Sequence, residues 1–140
     1  MIISSRYFFS IQSENFNPYS AEKIYNLKFE SKNLKGEIGE TGRYRGKEYP
    51  FGYGGIKISE DENMTNTLNN IIELVNELKK NTNEELDLDF SLTIKYENQC
   101  NLEIDSIFSR FVSELNIPLG ITCYEANDWI SIITHSKRTR

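Results

Sequence analysis

The glycine-rich stretch at residues 42–55, GRYRGKEYPFGYGG, combines glycine, basic and aromatic residues in a way that suggests a phosphate-binding loop. A P-loop requires the pattern G-x-x-x-x-G-K-[ST], in which the hydroxyl residue holds magnesium. Here only three residues separate the glycines, and Glu48 stands where the hydroxyl should be. The dinucleotide pattern G-x-G-x-x-G fails at Lys57, which takes the place of its third glycine. The sequence therefore predicts neither kind of nucleotide-binding loop.

The same stretch alternates basic and aromatic side chains, an arrangement that could stack unpaired bases or contact a small ligand. It does not match the aromatic RNA-binding signature, and the acidic second half of the chain would repel a long polyanion. We therefore expect no nucleic-acid partner, and we interpret the stretch as a flexible loop leading into a glycine-interrupted strand. A small-ligand or nucleotide-sensing function remains the alternative, and the residues that would contact such a ligand are Arg43, Tyr44, Arg45 and Tyr53.

Histidine and cysteine are too few for the common catalytic and metal sites. His135 is the only histidine, so one chain cannot form a two-histidine metal site. Cys100 and Cys123 have no CxxC spacing, and Cys123 lies in the apolar run LGITCYE, where we expect a buried thiol. We predict no catalytic residue, no metal, no cofactor and hence no enzyme.

Four carboxylates at the start of one predicted strand are the candidate partner-binding residues. Asp87 and Asp89 alternate with apolar residues in LDLDFSLTIKY, so they share one wet strand face at a separation of roughly 6.6 Å. Glu84 and Glu85 precede them. Paired acids can bind Mg²⁺ or Ca²⁺, but no EF-hand spacing is present. Because residues 60–136 contain four basic and fifteen acidic residues, a net charge of −11, we expect a basic protein partner.

The length of 140 residues suits one domain, which we place at residues 1–136, with a basic tail at residues 137–140. Arg6 stands where a signal peptide needs its apolar stretch, and no segment has the ~20 apolar residues of a membrane span. We therefore expect a cytoplasmic protein with no membrane partner. An exposed edge strand would permit a homodimer.

Hydrophobic periodicity predicts eight elements in the order strand, helix, strand, strand, helix, strand, helix, strand. The first helix should begin at Asn17 as its cap and bury Ala21, Ile24 and Tyr25. The predicted segments are a strand at 6–13, a helix ending near residue 27, a short strand including Leu34 or Ile38, a strand in 49–59, a helix in 62–82, a strand at 86–96, a helix in 104–118 capped by Asp105, and a strand at 119–125. Residues 128–135 form either one more strand or a packed terminal segment.

The order of these elements predicts an α+β fold. The first six match the split β-α-β-β-α-β arrangement of a ferredoxin-like core, which a further helix and strand extend. Because the strand at 86–96 has one polar face, we expect a mostly antiparallel sheet with its helices on the other face. A one-residue slip of that strand would bury two aspartates, so its register should be strongly fixed.

Four segments carry a resemblance to a known family: YFFSIQSENFNPYSAEKIYNL, with its polar turn before a proline, LKGE at 34–37, YGGIKI at 53–58, and NLEIDSIFSRFVSELNIPLGITCYE. In this order, over residues 6–125, they resemble a bacterial domain-of-unknown-function family numbered 4279. That family often has tryptophan at the position of Ile56 and aspartate at that of Thr122 or Cys123. The resemblance implies a compact α+β domain with no established catalytic residues, and some members look like immunity proteins for bacterial toxins.

Together these features favour a non-catalytic protein-binding module. The resemblance suggests a cytoplasmic immunity protein that neutralises a bacterial toxin. Many toxins are nucleases with basic clefts, and an acidic surface complements such a cleft and speeds association with it. On this hypothesis the exposed carboxylates Glu84, Glu85, Asp87 and Asp89 bind the partner.

Overall fold

A computed structural model describes residues 1–126, which contain five strands and three α-helices. In chain order they are β1 (Ile2–Ser13), α1 (Pro18–Tyr25), β2 (Ser31–Asn33), β3 (Gly52–Ile58), α2 (Met64–Asn81), β4 (Asp87–Tyr96), α3 (Ser106–Leu115) and β5 (Gly120–Glu125), with a short 3₁₀ turn at Gly42–Tyr44. This is the predicted order of eight elements, and it confirms the α+β class. The predicted position of the second strand is wrong, because β2 ends at Asn33 and includes neither Leu34 nor Ile38, which forms only an isolated bridge with Glu48. His135, the segment 128–135 and the tail 137–140 lie outside the described residues.

The five strands form one sheet in the order β2-β3-β1-β4-β5. β1 pairs antiparallel with both β3 and β4, and β2 pairs antiparallel with β3. β5 runs parallel to β4, because α3 carries the chain back across the sheet before β5 begins. The prediction of a mostly antiparallel sheet is therefore confirmed.

The core lies on one face of the sheet. On β1, Tyr7, Phe9 and Ile11 are buried, and the side chains between them point to the opposite face. The rings of Phe108 and Phe111 on α3 pack against this inner face, with centroid distances of 3.9–6.0 Å to their aromatic partners. One hydrophobic cluster joins the inner strand residues to buried side chains of all three helices.

Asparagine and aspartate side chains begin two of the helices. Asn17 accepts a hydrogen bond from the backbone N–H of Ser20 at 3.1 Å, and Pro18 occupies the first helical position. Asp105 accepts one from the N–H of Ile107 at 3.0 Å. Both predicted caps are confirmed.

Two predictions of burial are wrong. Ile24 is 71% exposed, because the buried side of α1 is already formed by Pro18, Ala21 and Tyr25, and Ile24 lies about 100° around the helix from Tyr25. Cys123 is exposed, because β5 is the last strand at the edge of the sheet in the described chain. Ile121 on the same strand is also 46% exposed.

Candidate partner-binding surface and the glycine-rich stretch

A shallow cleft with a volume of about 570 Å³ lies where β1 ends, β4 begins and the chain enters β3. Glu84, Glu85 and Asp87 line it on one side, and Pro50 and Phe51 line it on the other. The cleft therefore brings together three of the four candidate carboxylates and the second half of the glycine-rich stretch, although the two segments are distant in sequence.

Glu84 is held by groups within the protein. Its Oε2 accepts hydrogen bonds from the Ser13 hydroxyl at 2.8 Å and from the Asn15 backbone N–H at 3.0 Å, and its Oε1 accepts one from the Asn15 side chain at 2.6 Å. The bonds from Asn15, followed by the one from Ser13, lower the pKa of Glu84 below its ordinary value. Glu84 thus ties the turn after β1 to the entry of β4.

The other three candidate carboxylates are open to a partner. Glu85, Asp87 and Asp89 are exposed, and within residues 1–126 none of them forms a hydrogen bond or an ion pair through its side chain. The two aspartates lie on the outer face of the sheet, opposite to the face that α1, α2 and α3 cover, where they stand across from Gln12 and Ser10 of β1.

Glu14 adds a fourth carboxylate to the lining of the cleft, but a lysine neutralises it. Lys35 Nζ lies 2.7 Å from Glu14 Oε1. In the described part of the chain, no group of three or more histidine, cysteine, aspartate or glutamate residues is arranged to hold a metal ion.

The charge asymmetry of the sequence becomes a spatial one. Residues 31–58 form β2, β3 and the segment between them, and they contain six basic and three acidic residues. Residues 84–125 form β4, α3 and β5, and they contain two basic and nine acidic residues. Because β2 and β3 lie on one side of β1 and β4 and β5 on the other, the sheet has a basic side and an acidic side.

The first part of the glycine-rich stretch is hydrogen-bonded to the segment before it. The backbone N–H of Gly39 donates to the Lys47 carbonyl at 2.9 Å, and the N–H of Tyr49 donates to the Glu37 carbonyl at 2.9 Å. The Gly36 N–H donates to the Tyr49 carbonyl at 2.8 Å. These bonds fold residues 36–49 back on themselves.

Aromatic side chains in this stretch pack on one another. The rings of Tyr44, Tyr49 and Phe51 lie 5.2–6.0 Å apart, and the Arg43 guanidinium lies 5.7 Å from the centroid of the Tyr44 ring. Two of the four candidate ligand contacts, Arg43 and Tyr44, therefore contact each other.

The remaining two candidates lie on different elements. Arg45 is exposed and follows the 3₁₀ turn, with its backbone bridged to Gly39. Tyr53 is half-buried on β3, on the outer face of the sheet. The structure thus groups Arg43, Tyr44 and Arg45 in one turn and places Tyr53 on the strand that follows.

The glycines of β3 mark close approaches of other groups to the strand. A Cβ atom built on Gly52 would lie 1.7 Å from the carbonyl oxygen of Phe16, so no other residue fits there without moving the backbone. A Cβ on Gly55 would lie 2.6 Å from the Phe8 ring and 2.7 Å from the Tyr53 hydroxyl. No helix follows directly, since α2 begins only at Met64.

Sequence reasoning did not assign Ser13, Asn15 or Phe51 to the site. Ser13 and Asn15 hold Glu84, and Phe51 forms the opposite wall of the cleft. The available signal was indirect: the polar turn after the first strand and the acidic run before the fourth would meet if β1 and β4 were neighbours. That pairing is a property of the fold.

Comparisons with known proteins give no match to a family model, to a curated protein or to a solved structure. Among the described residues, no helix is both long enough and apolar enough to cross a membrane.

Proposed function

We propose that the protein is a non-catalytic binding module that recognises a basic protein through its acidic surface, defined as Glu85, Asp87 and Asp89. The observation that carries the proposal is the contrast within one acidic run. The Glu84 carboxylate is hydrogen-bonded to Ser13 and Asn15, whereas the next three carboxylates have no hydrogen-bond or ion-pair partner in the described chain.

The geometry of the acidic surface suits an extended contact. Asp87 and Asp89 face outward from the first part of β4, where its pairing with β1 sets the direction of their side chains. Phe51 lies half-buried across the cleft from Glu85 and Asp87 and offers an apolar contact beside the charges. A partner that presents arginine or lysine next to an apolar side chain would complement both.

The class of partner that we propose is a toxin with a basic surface, which makes this chain a cytoplasmic immunity protein of bacterial origin. Unpaired surface carboxylates raise the rate of association with a basic protein, which is what rapid neutralisation requires. We further propose that β1, α1, β2, β3, α2 and β4 form a ferredoxin-like core. Their strand order, β2-β3-β1-β4, and the antiparallel pairing throughout support this assignment.

The test is a triple variant, E85Q/D87N/D89N, measured against a purified basic partner. Candidate partners are captured from a lysate of the source cells with the wild-type protein, then purified and studied by stopped-flow binding. We expect the association rate of the triple variant to fall about ten-fold or more at low salt, and the difference to shrink at high salt.

A matched control neutralises three carboxylates that lie outside the acidic surface, in the variant E62Q/E103Q/E114Q. These residues are also exposed, and the net charge changes by the same amount. If the association rate falls by the same factor in both triple variants, only net charge matters and the assigned surface is wrong. If neither changes the rate, the partner binds elsewhere.

A further inference from the structure

A second cavity, with a volume of about 480 Å³, lies at the other end of β3, away from the acidic surface. Three segments bound it: the residues after α1, the last residues of β3, and the first two turns of α2. Its volume falls within the range of small-molecule sites in proteins. Nothing in the proposed protein-binding function uses it.

The cavity exists because β2 is short. β2 pairs only with residues 53–55 of β3, whereas β1 pairs with β3 as far as Ile58. The last three residues of β3 therefore have no strand beside them on the β2 side within the described chain. The buried side chains of Leu27 and Ile56 form an apolar patch in its lining.

Polar side chains of α2 line the cavity. Asn63, at the start of the helix, and Asn66, Thr67 and Asn70 follow the spacing i, i+3, i+4, i+7, which places them along one side of the helix. In residues 1–126 the side chains of Asn66, Thr67 and Asn70 form no hydrogen bond. Their amide and hydroxyl groups are available as donors and acceptors for a ligand with hydroxyl groups.

Two lysines make the lining net positive. Lys28 and Lys57 both line the cavity, Lys57 from the outer-face side of the open edge of β3, and neither forms an ion pair with a described residue, although Lys28 also interacts electrostatically with Glu22. Asp61, the single carboxylate among the described lining residues, already accepts a hydrogen bond through Oδ1 from the backbone N–H of Asn63 at 2.9 Å. Ammonium groups bind phosphate readily, as point charges.

We propose that this cavity binds a small phosphorylated sugar. The phosphate is held by Lys28 and Lys57, the hydroxyl groups hydrogen-bond to Asn66, Thr67 and Asn70, and the apolar side of the sugar ring contacts Leu27 and Ile56. This assignment does not depend on the acidic surface, which lies on β4 and just before it, with β1 between β4 and β3.

The test is an NMR titration of the ¹⁵N-labelled full chain with ribose 5-phosphate, inorganic phosphate and ribose. We expect saturable shifts of the side-chain amide signals of Asn66 and Asn70 with ribose 5-phosphate. The affinity should be at least about ten-fold higher than for phosphate or ribose, because only the phosphorylated sugar engages both sets of groups.

Two variants locate the site. In K28Q/K57Q we expect affinity for ribose 5-phosphate to fall about ten-fold or more, whereas K79Q/K80Q, at the far end of α2, should bind as the wild type does. Both pairs are exposed, and the spectrum of each variant reports whether it is folded. The proposal is overturned if no ligand gives saturable shifts, if phosphate alone binds as tightly, or if both variants bind alike.

Discussion

At the scale of single residues, Glu84 and Glu85 are neighbours in sequence with different surroundings. Three hydrogen bonds hold Glu84, and they lower its pKa from the ordinary value of 4.5. Because the folded state favours the carboxylate, Glu84 adds stability that is present above pH 4.5 and is lost as the pH falls through its lowered, folded-state pKa.

The variant E84Q tests this linkage. We expect its midpoint of urea unfolding to be lower than that of the wild type at pH 7, because an amide cannot accept all three bonds. The difference should shrink below pH 4.5, where the wild-type carboxyl also becomes protonated. E85Q is the matched control, because the Glu85 side chain forms no hydrogen bond in the described chain, and it should unfold close to the wild type at pH 7. A difference for E84Q that is constant down to pH 2 would refute the linkage.

The strand glycines give a second prediction at the residue scale. In G52A the new Cβ meets the backbone carbonyl of Phe16, which cannot move without shifting the turn after β1. We expect the free energy of unfolding to fall by about 3 kcal/mol or more. In G120A the nearest atom is the Phe90 carbonyl oxygen at 3.8 Å, an ordinary contact, so the change should stay within about 0.5 kcal/mol. Chemical denaturation measures both, and equal effects would contradict the argument.

At the scale of elements, α2 and α3 differ in how their N-termini are capped, and mutations can measure the difference. Asp105 accepts a hydrogen bond from the N–H of Ile107 and caps α3, whereas Asn63 at the start of α2 makes no capping bond through its side chain. We expect D105A to lower the free energy of unfolding by about 1 kcal/mol and N63A to leave it nearly unchanged. D105N, which can still cap, should recover most of the loss. Urea unfolding checks all three, and a larger loss in N63A would show that capping is not the cause.

The elements also show how much of the fold could be predicted from the sequence. The order of eight elements and the ends of α2, β4 and α3 followed from periodicity, because strong amphipathic patterns and caps act locally. The parallel pairing of β5 with β4 did not follow from periodicity, because a strand that comes after a helix can join either edge of a sheet. Ile24 was misplaced because α1 is only eight residues long and its apolar positions do not define one face.

The candidate site shows the same limit. The carboxylates on β4 were found from their alternation, because exposure follows strand register. The sequence could not predict that Glu84 is hydrogen-bonded within the protein while the other carboxylates are not. That difference depends on Ser13 and Asn15, about seventy residues earlier in the chain. Contacts of that kind are determined by β1 pairing with β4.

At the scale of the whole molecule, the sheet separates charge, and the acidic side carries unpaired carboxylates that repel one another. Such repulsion lowers the stability of the folded protein, and a surface with a purely structural role would not require it. Asp87 and Asp89 are two residues apart on one face of β4, and neither has a partner in the described chain. The arrangement is therefore consistent with a surface retained for binding, at some expense of stability.

The double variant D87N/D89N separates these two roles. We expect its midpoint of unfolding to be slightly higher than that of the wild type at low salt, because the repulsion is removed while the shape of the side chains is kept. At 0.5 M NaCl the difference should vanish, since exposed charges are screened over a few ångströms. K79Q/K80Q, which removes two exposed charges of the opposite sign, should give no such rise. If D87N/D89N is instead less stable at both salt concentrations, the two aspartates support the fold. The conclusion that the acidic surface is retained for a partner is then wrong.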